Sequence, residues 1–177
     1  KNQLNNTIVQ LIKQTKIEII IFTPYFNFPS KVYKATLQLL RKGIKVTVIV
    51  GDKKANDFFI PEDEKFEKIG ILPYVYESNL KLFLKSNQKH IDAGYLNVHL
   101  WQDQANSFHL KGINSDQSNY LITGHNINPR AWRLDLENGI LIQDPKQLLV
   151  QKFDQELNLL MEHCTKIKHF SELEDTD

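Results

Sequence analysis

Two short aliphatic runs, Ile17-Glu18-Ile19-Ile20-Ile21-Phe22 and Ile44-Lys45-Val46-Thr47-Val48-Ile49-Val50, flank a stretch with helical periodicity. This alternation restricts the fold more than any other feature of the chain. Both runs are short and rich in β-branched residues, so they read as strands. Between them Val32, Ala35, Leu39 and Leu40 recur at helical spacing over residues 30–42, and Gly43 suits the left-handed position that ends a helix. Strand, helix and strand with short connections make a βαβ unit, which puts two parallel strands in one sheet.

The same reading extends in both directions. Leu4, Ile8, Leu11 and Ile12 predict a helix ahead of the first strand. Residues 52–70 are polar and broken by Pro61, which predicts a loop with one helical turn or two. A helix is expected over residues 77–92, with Leu80, Phe83 and Leu84 on one face, then a strand over residues 95–101. Residues 107–113 and 118–123 read as a hairpin around Asn114-Ser115-Asp116, and residues 137–143 as a further strand. From Pro145 a last helix is expected, with Leu149, Phe153, Leu157, Leu160, Met161 and Cys164 in one stripe and residues 146–163 packed into the core. At 177 residues, without repeats or low-complexity tracts, the chain suits one α/β domain with a mixed sheet flanked by helices.

Composition narrows the function classes. A net charge of +1 carries none of the cationic excess that binding a nucleic-acid backbone requires, so no nucleic acid is expected as partner. No apolar run approaches the roughly 20 residues that span a bilayer, so membrane contact is expected to be peripheral. Cys164 is the only cysteine and has no internal partner, which points to a reducing compartment. The chain begins without Met, inside a helical pattern, and is read as a piece of a longer polypeptide.

Chemistry concentrates in Phe108-His109-Leu110-Lys111-Gly112 through Asp116, and in Gly124-His125-Asn126-Ile127-Asn128-Pro129-Arg130. On a strand, residues two apart share a face, so His109 and Lys111 are expected to aim an imidazole and an ammonium at one spot. A base that doubles as a nucleophile, beside a fixed positive charge, suits attack on a phosphodiester. Asn128-Pro129 reads as a helix cap and first-turn proline, which aims backbone N–H groups at an anion. The other histidines, His90, His99, His125, His163 and His169, have no metal-ligand spacing, and no cofactor or metal is expected.

His109-x-Lys111-x4-Asp116, with Gly124 and Asn126 downstream, resembles the HKD motif of the phospholipase D superfamily. The wider match through Leu121-Ile122-Thr123-Gly124 and Asn128-Pro129-Arg130-Ala131-Trp132-Arg133-Leu134-Asp135-Leu136-Glu137-Asn138 is similar to the bacterial HKD-type phosphatidylserine synthases. It extends to Thr23-Pro24-Tyr25-Phe26 and Pro73-Tyr74-Val75-Tyr76-Glu77. The chain reads Thr123-Gly124 where Gly-Ser is commoner, so a serine hydroxyl contact to phosphate does not carry over.

The resemblance implies a phospholipase D-like mixed sheet and a metal-independent transfer of a phosphatidyl group from CDP-diacylglycerol to L-serine, releasing CMP. It implies a phosphatidyl-histidine intermediate and two HKD halves meeting at a pseudo-twofold axis. Residues 1–177 contain one H-x-K, so the second half would come from the same chain or a homodimer partner. It further implies peripheral attachment to the anionic inner face of the cytoplasmic membrane. Carried over residue by residue, His109 is acid and base, Lys111 holds the non-bridging oxygens, and Asn126 donates to phosphate. Glu137 orients the histidine through its other ring nitrogen, the alternative being a surface salt bridge. Asp116 is expected to hold local hydrogen bonds in the hairpin turn, Gly124 to complete the motif, and Asn128 to cap a helix. Arg130 either contacts the nucleotide phosphate or pairs with Asp135, and Tyr25 either lines the serine or cytidine pocket or is a core aromatic. The rival activity is that of another HKD phosphodiesterase or nuclease acting as a homodimer; a non-catalytic scaffold would have no physical need for His109, Lys111, Asn126 and Glu137 together.

Overall fold

The structure is a computed structural model and describes residues 2–61, 63–65, 67–104 and 106–173. Its strands β1 (Glu18–Thr23), β2 (Lys45–Gly51), β3 (Leu96–Trp101), β4 (Gly112–Ser115), β5 (Asn119–Thr123), β6 (Gly139–Gln143) and β7 (Cys164–Ile167) form one sheet. Their order is β6-β5-β4-β1-β2-β3-β7. β1, β2 and β3 are parallel, as the βαβ pattern demands, while β4, β5, β6 and β7 pair antiparallel with their neighbours. The sheet is therefore mixed.

Helices α1 (Gln3–Gln14), α2 (Ser30–Arg41) and α3 (Leu72–Asp92) supply the apolar layer over one face. Ile8, Ile12, Val32, Leu39, Phe83 and Leu84 pack there against Ile19, Ile21, Val46, Val48 and Val98, all essentially buried. Alternate burial along β1 shows why: every second side chain enters this layer. The face of α3 carrying Leu80, Phe83 and Leu84 is core-facing, while Leu82 is 62% exposed. That helix begins earlier than its apolar pattern shows, because a 3-10 turn over Lys68–Ile71 leads into it and Pro73 sits in its first turn, where a missing N–H costs nothing.

The second face is covered thinly, and here the sequence expectation needs correcting. The last helix, α5, spans only Val150–Met161 and has no buried residue. Its stripe is half-buried: Phe153 stacks on Tyr120 with ring centroids 3.7 Å apart, and Leu157 and Leu160 pack on the Ile49–Phe108 cluster. A cavity of about 510 Å³, lined also by Phe22, Trp101, Ile113 and Ile122, opens beside them. Residues 145–149 form a turn held by the Asp144 carboxylate, which accepts from the Leu149 amide at 2.8 Å. Cys164, read as the end of the helical stripe, starts edge strand β7, paired with Trp101. An apolar stripe fixes which side of a helix seeks cover but not whether the surface opposite fills it.

The strand directions bring a terminus of all seven strands to one edge of the sheet: β1, β2, β3 and β5 end there, and β4, β6 and β7 begin there. In open α/β sheets this carboxyl edge of the parallel strands is where ligand groups gather.

Candidate active site

Residues 108–111 run extended ahead of β4, fastened by the Phe108 amide, which donates to the Ala55 carbonyl at 2.9 Å. Phe108 is 3% exposed. With that ring turned inward, His109 and Lys111 project together: Lys111 Nζ lies 2.6 Å from His109 Nδ1 and 2.7 Å from the His109 carbonyl. The pair stands just before the strand, not on it. Phe22 is the last partner of β4, opposite Gly112, and β1 turns away at Pro24, which has no N–H to extend a ladder.

The other ring nitrogen meets a residue that the sequence reading passed over. His109 Nε2 lies 3.0 Å from Asp57 Oδ2, with side chains 60% and 36% exposed. The Tyr25 hydroxyl donates to the same oxygen at 3.0 Å. An ammonium on Nδ1 makes that nitrogen an acceptor, which assigns the ring proton to Nε2, donated to Asp57. Tyr25 is buried and its ring stacks on Tyr76 with centroids 5.0 Å apart. Tyr76 rides on α3, which the Lys53–Glu77 ion pair (3.3 Å) ties to the loop after β2.

Electrostatics follow from this packing. Burial pushes the Asp57 carboxyl up, but hydrogen bonds from Ser107, Tyr25 and His109 outweigh it and hold it below the ordinary carboxylate range. Burial, then the bond to Asp57, pushes the Tyr25 phenol well above its ordinary range. Burial lowers the Lys111 ammonium, while Asp57 and Glu137 act in the opposite sense. The site is thus an imidazole held between a cation and an anion.

Glu137 sits in the turn before β6, its carboxylate filling the space at Gly124; a Cβ there would lie 2.6 Å from Glu137 Oε2. Only glycine leaves that carboxylate its place. The structure does not bring Glu137 onto His109 Nδ1, where Lys111 stands instead. The Asn126 carbonyl accepts from the Thr23 hydroxyl at 2.7 Å, and its side-chain oxygen is buried with no partner among the described residues. Asn128 caps helix α4 (Pro129–Arg133) by accepting from the Ala131 amide at 2.8 Å. At five residues that helix is too short to serve as an anion site by itself. Arg130 is 77% exposed and pairs with Asp135 at 3.3 Å, and its charge also reaches the Tyr76 hydroxyl. Asp116 lies at the far end of β4, where its carboxylate accepts from the amides of Lys16, Ile17 and Glu18.

A family model described as the PLD-like domain of cardiolipin synthase matches residues 8–161. The chain belongs to this phospholipase D-like family. It is 52% identical over 171 residues to the CDP-diacylglycerol–serine O-phosphatidyltransferase of Escherichia coli K12, covering 97% of this chain and 38% of that protein. It is 47% identical over 174 residues to the same-named enzyme of Haemophilus influenzae, covering 98% of this chain and 38% of that one. The crystal structure of Haemophilus influenzae phosphatidylserine synthase superposes with a TM-score of 0.95, over 98% of this chain and 39% of that one. Nuc, a phospholipase D family member from Salmonella typhimurium, superposes with a TM-score of 0.63 at 15% identity, over 94% of this chain and 92% of that one, a likeness of fold alone. The chain thus spans about 38% of the length of the curated relatives it matches.

His125 of this phospholipase D-like domain faces inward. It is fully buried, its Nε2 is 3.1 Å from Asn5 Oδ1, and its Nδ1 accepts from the Ile127 amide at 2.9 Å. Burial lowers its pKa from the ordinary 6.5, so the folded state prefers the neutral ring. The unfolded chain then binds more protons below pH 6.5, and the stabilisation His125 supplies above that pH is lost as pH falls through the folded pKa. The melting-temperature gap between wild type and His125→Asn is therefore expected to narrow from pH 7 to pH 5; a constant gap would mean the ring does not titrate with unfolding.

Asp57 escaped the sequence reading because it lies in the aperiodic stretch after β2, with neither spacing nor composition to mark it. The available signal was topological: an acidic residue a few positions past the carboxyl end of a parallel strand.

Proposed function

We propose that this chain is the C-terminal half of a CDP-diacylglycerol–serine O-phosphatidyltransferase. The observation that carries the reading is 52% identity to such an enzyme across 97% of the chain, with the His109–Lys111 pair formed at the sheet edge. In this reading a histidine of the preceding half attacks the diphosphate, its Nε2 bonds to phosphorus, and CMP leaves with a proton from His109. The L-serine hydroxyl then attacks the same phosphorus, gives its proton to His109, and the P–N bond breaks. Lys111 moves from Nδ1 to the non-bridging oxygens as the phosphate enters, and the ring takes up a second proton on Nδ1 that it donates to Glu137, so that Nε2 gives its proton to CMP and leaves a neutral imidazole. Asn126 supplies a further contact to phosphate through its side-chain N–H groups, and Arg130 is the group for the nucleotide phosphate.

Two surfaces support the incomplete site and the lipid substrate. Edge strand β6 leaves Ile140 67% exposed beside Ile122 at 52%, an apolar edge that a second HKD half would cover, from the same chain or a second copy. The apolar cavity under α5 includes Lys111 in its lining, which suits a substrate with a charged head and acyl chains. No described helix is long and apolar enough to cross a membrane, and the reading places the enzyme peripherally on the anionic inner face of the cytoplasmic membrane.

The deciding experiment follows CMP release from CDP-diacylglycerol in detergent micelles by the complete natural polypeptide, with and without L-serine. Release that rises with serine and yields phosphatidylserine is expected; release indifferent to serine would return the chain to the phosphodiesterase reading. Within that assay Glu137→Gln should slow turnover by at least roughly tenfold, through a poorly oriented imidazole. A rate unchanged across the pH range would leave Glu137 structural.

A further inference from the structure

The position of Asp57 is unusual for a carboxylate beside a catalytic histidine. An orienting acid holds the nitrogen that faces away from substrate. Here that nitrogen, Nδ1, is held by Lys111, and Asp57 Oδ2 sits 3.0 Å from Nε2, the other nitrogen of a side chain that is 60% exposed. The carboxylate is fixed there by Tyr25, whose hydroxyl donates to the same oxygen at 3.0 Å. It also stays partly open to solvent, at 36% exposure. A fixed anion repels a phosphodiester and attracts a cation. Tyr25 stacks on Tyr76 with centroids 5.0 Å apart and has Phe58 at 6.2 Å, so aromatic surface, which tolerates a cation, flanks the carboxylate.

We propose that Asp57 binds the ammonium group of the amino-alcohol acceptor and thereby delivers the acceptor's hydroxyl to His109 Nε2. The proposal rests on the transferase reading and adds to it the residue that selects the acceptor. In L-serine the ammonium and hydroxyl stand on adjacent carbons, about 3 Å apart, which matches the separation of 3.0 Å between Asp57 Oδ2 and His109 Nε2. The ammonium replaces the ring N–H as donor to Asp57, and the hydroxyl takes its place at Nε2. As the hydroxyl oxygen bonds to phosphorus its proton passes to Nε2, and the phosphorus–nitrogen bond to the other histidine breaks. Water and glycerol bring no cation for Asp57, so the carboxylate favours serine over both.

The test uses the complete natural polypeptide, with L-serine and glycerol competing for CDP-diacylglycerol in detergent micelles. Its readout is the ratio of phosphatidylserine to the neutral-acceptor products, phosphatidic acid and phosphatidylglycerol. Asp57→Asn should lower that ratio at least tenfold, about 1.4 kcal/mol of discrimination, and Asp57→Glu should keep most of it. A ratio unchanged while all products fall together would overturn the proposal and make Asp57 a positioning residue for His109. Should Asp57→Asn form no product at all, L-serine binding by ligand-observed NMR decides: binding lost in the variant supports the site, and binding retained overturns it. Failure of the wild type to make phosphatidylserine would instead remove the transferase reading itself.

Discussion

His109→Ala in the complete natural polypeptide should lower turnover by about 10²–10⁴-fold and leave the melting temperature unchanged. In the proposed transferase reading, the size follows from the loss of proton transfer to the leaving CMP and from the serine hydroxyl. The intact fold follows from position: the imidazole side chain is 60% exposed and supports no core contact. Asp57 keeps its bond from Tyr25, so the substitution strands no buried charge. The variant also separates the two roles a histidine of this pair can take. With His109 as acid and base, a phosphatidyl adduct forms slowly on the other half, without an acid for CMP, and persists, because no base remains to activate serine. With His109 as nucleophile, no adduct forms. Wild-type turnover in the variant would overturn the site assignment.

What the chain disclosed in advance follows from which forces are local. The order strand, helix, strand through β1, α2 and β2 was legible, because aliphatic runs and helical spacing record burial on one or both sides of each element. The convergence of His109 and Lys111 was legible from spacing, although the segment is extended backbone and not a ladder strand. Edge strand β7 was not, since its four residues are strand only by pairing with β3, a contact that nothing within them encodes. The looseness of α5 was hidden for a related reason: its stripe is written in the helix, but the cavity it roofs depends on four strands, β1, β3, β4 and β5. Asp57 was hidden because its meaning depends on a loop folding back until the Phe108 amide reaches Ala55. Non-local geometry, not residue chemistry, separates the legible part of the site from the rest.

The aspartate of the HKD motif illustrates the same division, and removing it should cost stability and not chemistry. Asp116 accepts from the Ile17 amide at 2.8 Å, the Lys16 amide at 2.9 Å and the Glu18 amide at 3.1 Å. Its own amide donates back to the Glu18 carbonyl at 2.9 Å. One side chain thus clamps the β4–β5 turn to the connection between α1 and β1. Asp116→Ala leaves three amide donors without their charged acceptor, and water reaches some of them because Ile17 is 72% exposed. The expected loss is about 2 kcal/mol, or roughly 4–8 °C for a domain of this size. Alanine is also strained at the φ of +53° that Asp116 adopts, which aspartate tolerates better. Asp116→Gly removes the carboxylate without that strain and should recover part of the loss. Lys111 and Asp116 are separated by the length of β4, roughly 17 Å of extended chain, so kcat and the KM for serine should stay near wild type in the folded fraction. A rate loss of a hundredfold at unchanged stability would move Asp116 into the catalytic machinery, and would leave the clamp unexplained.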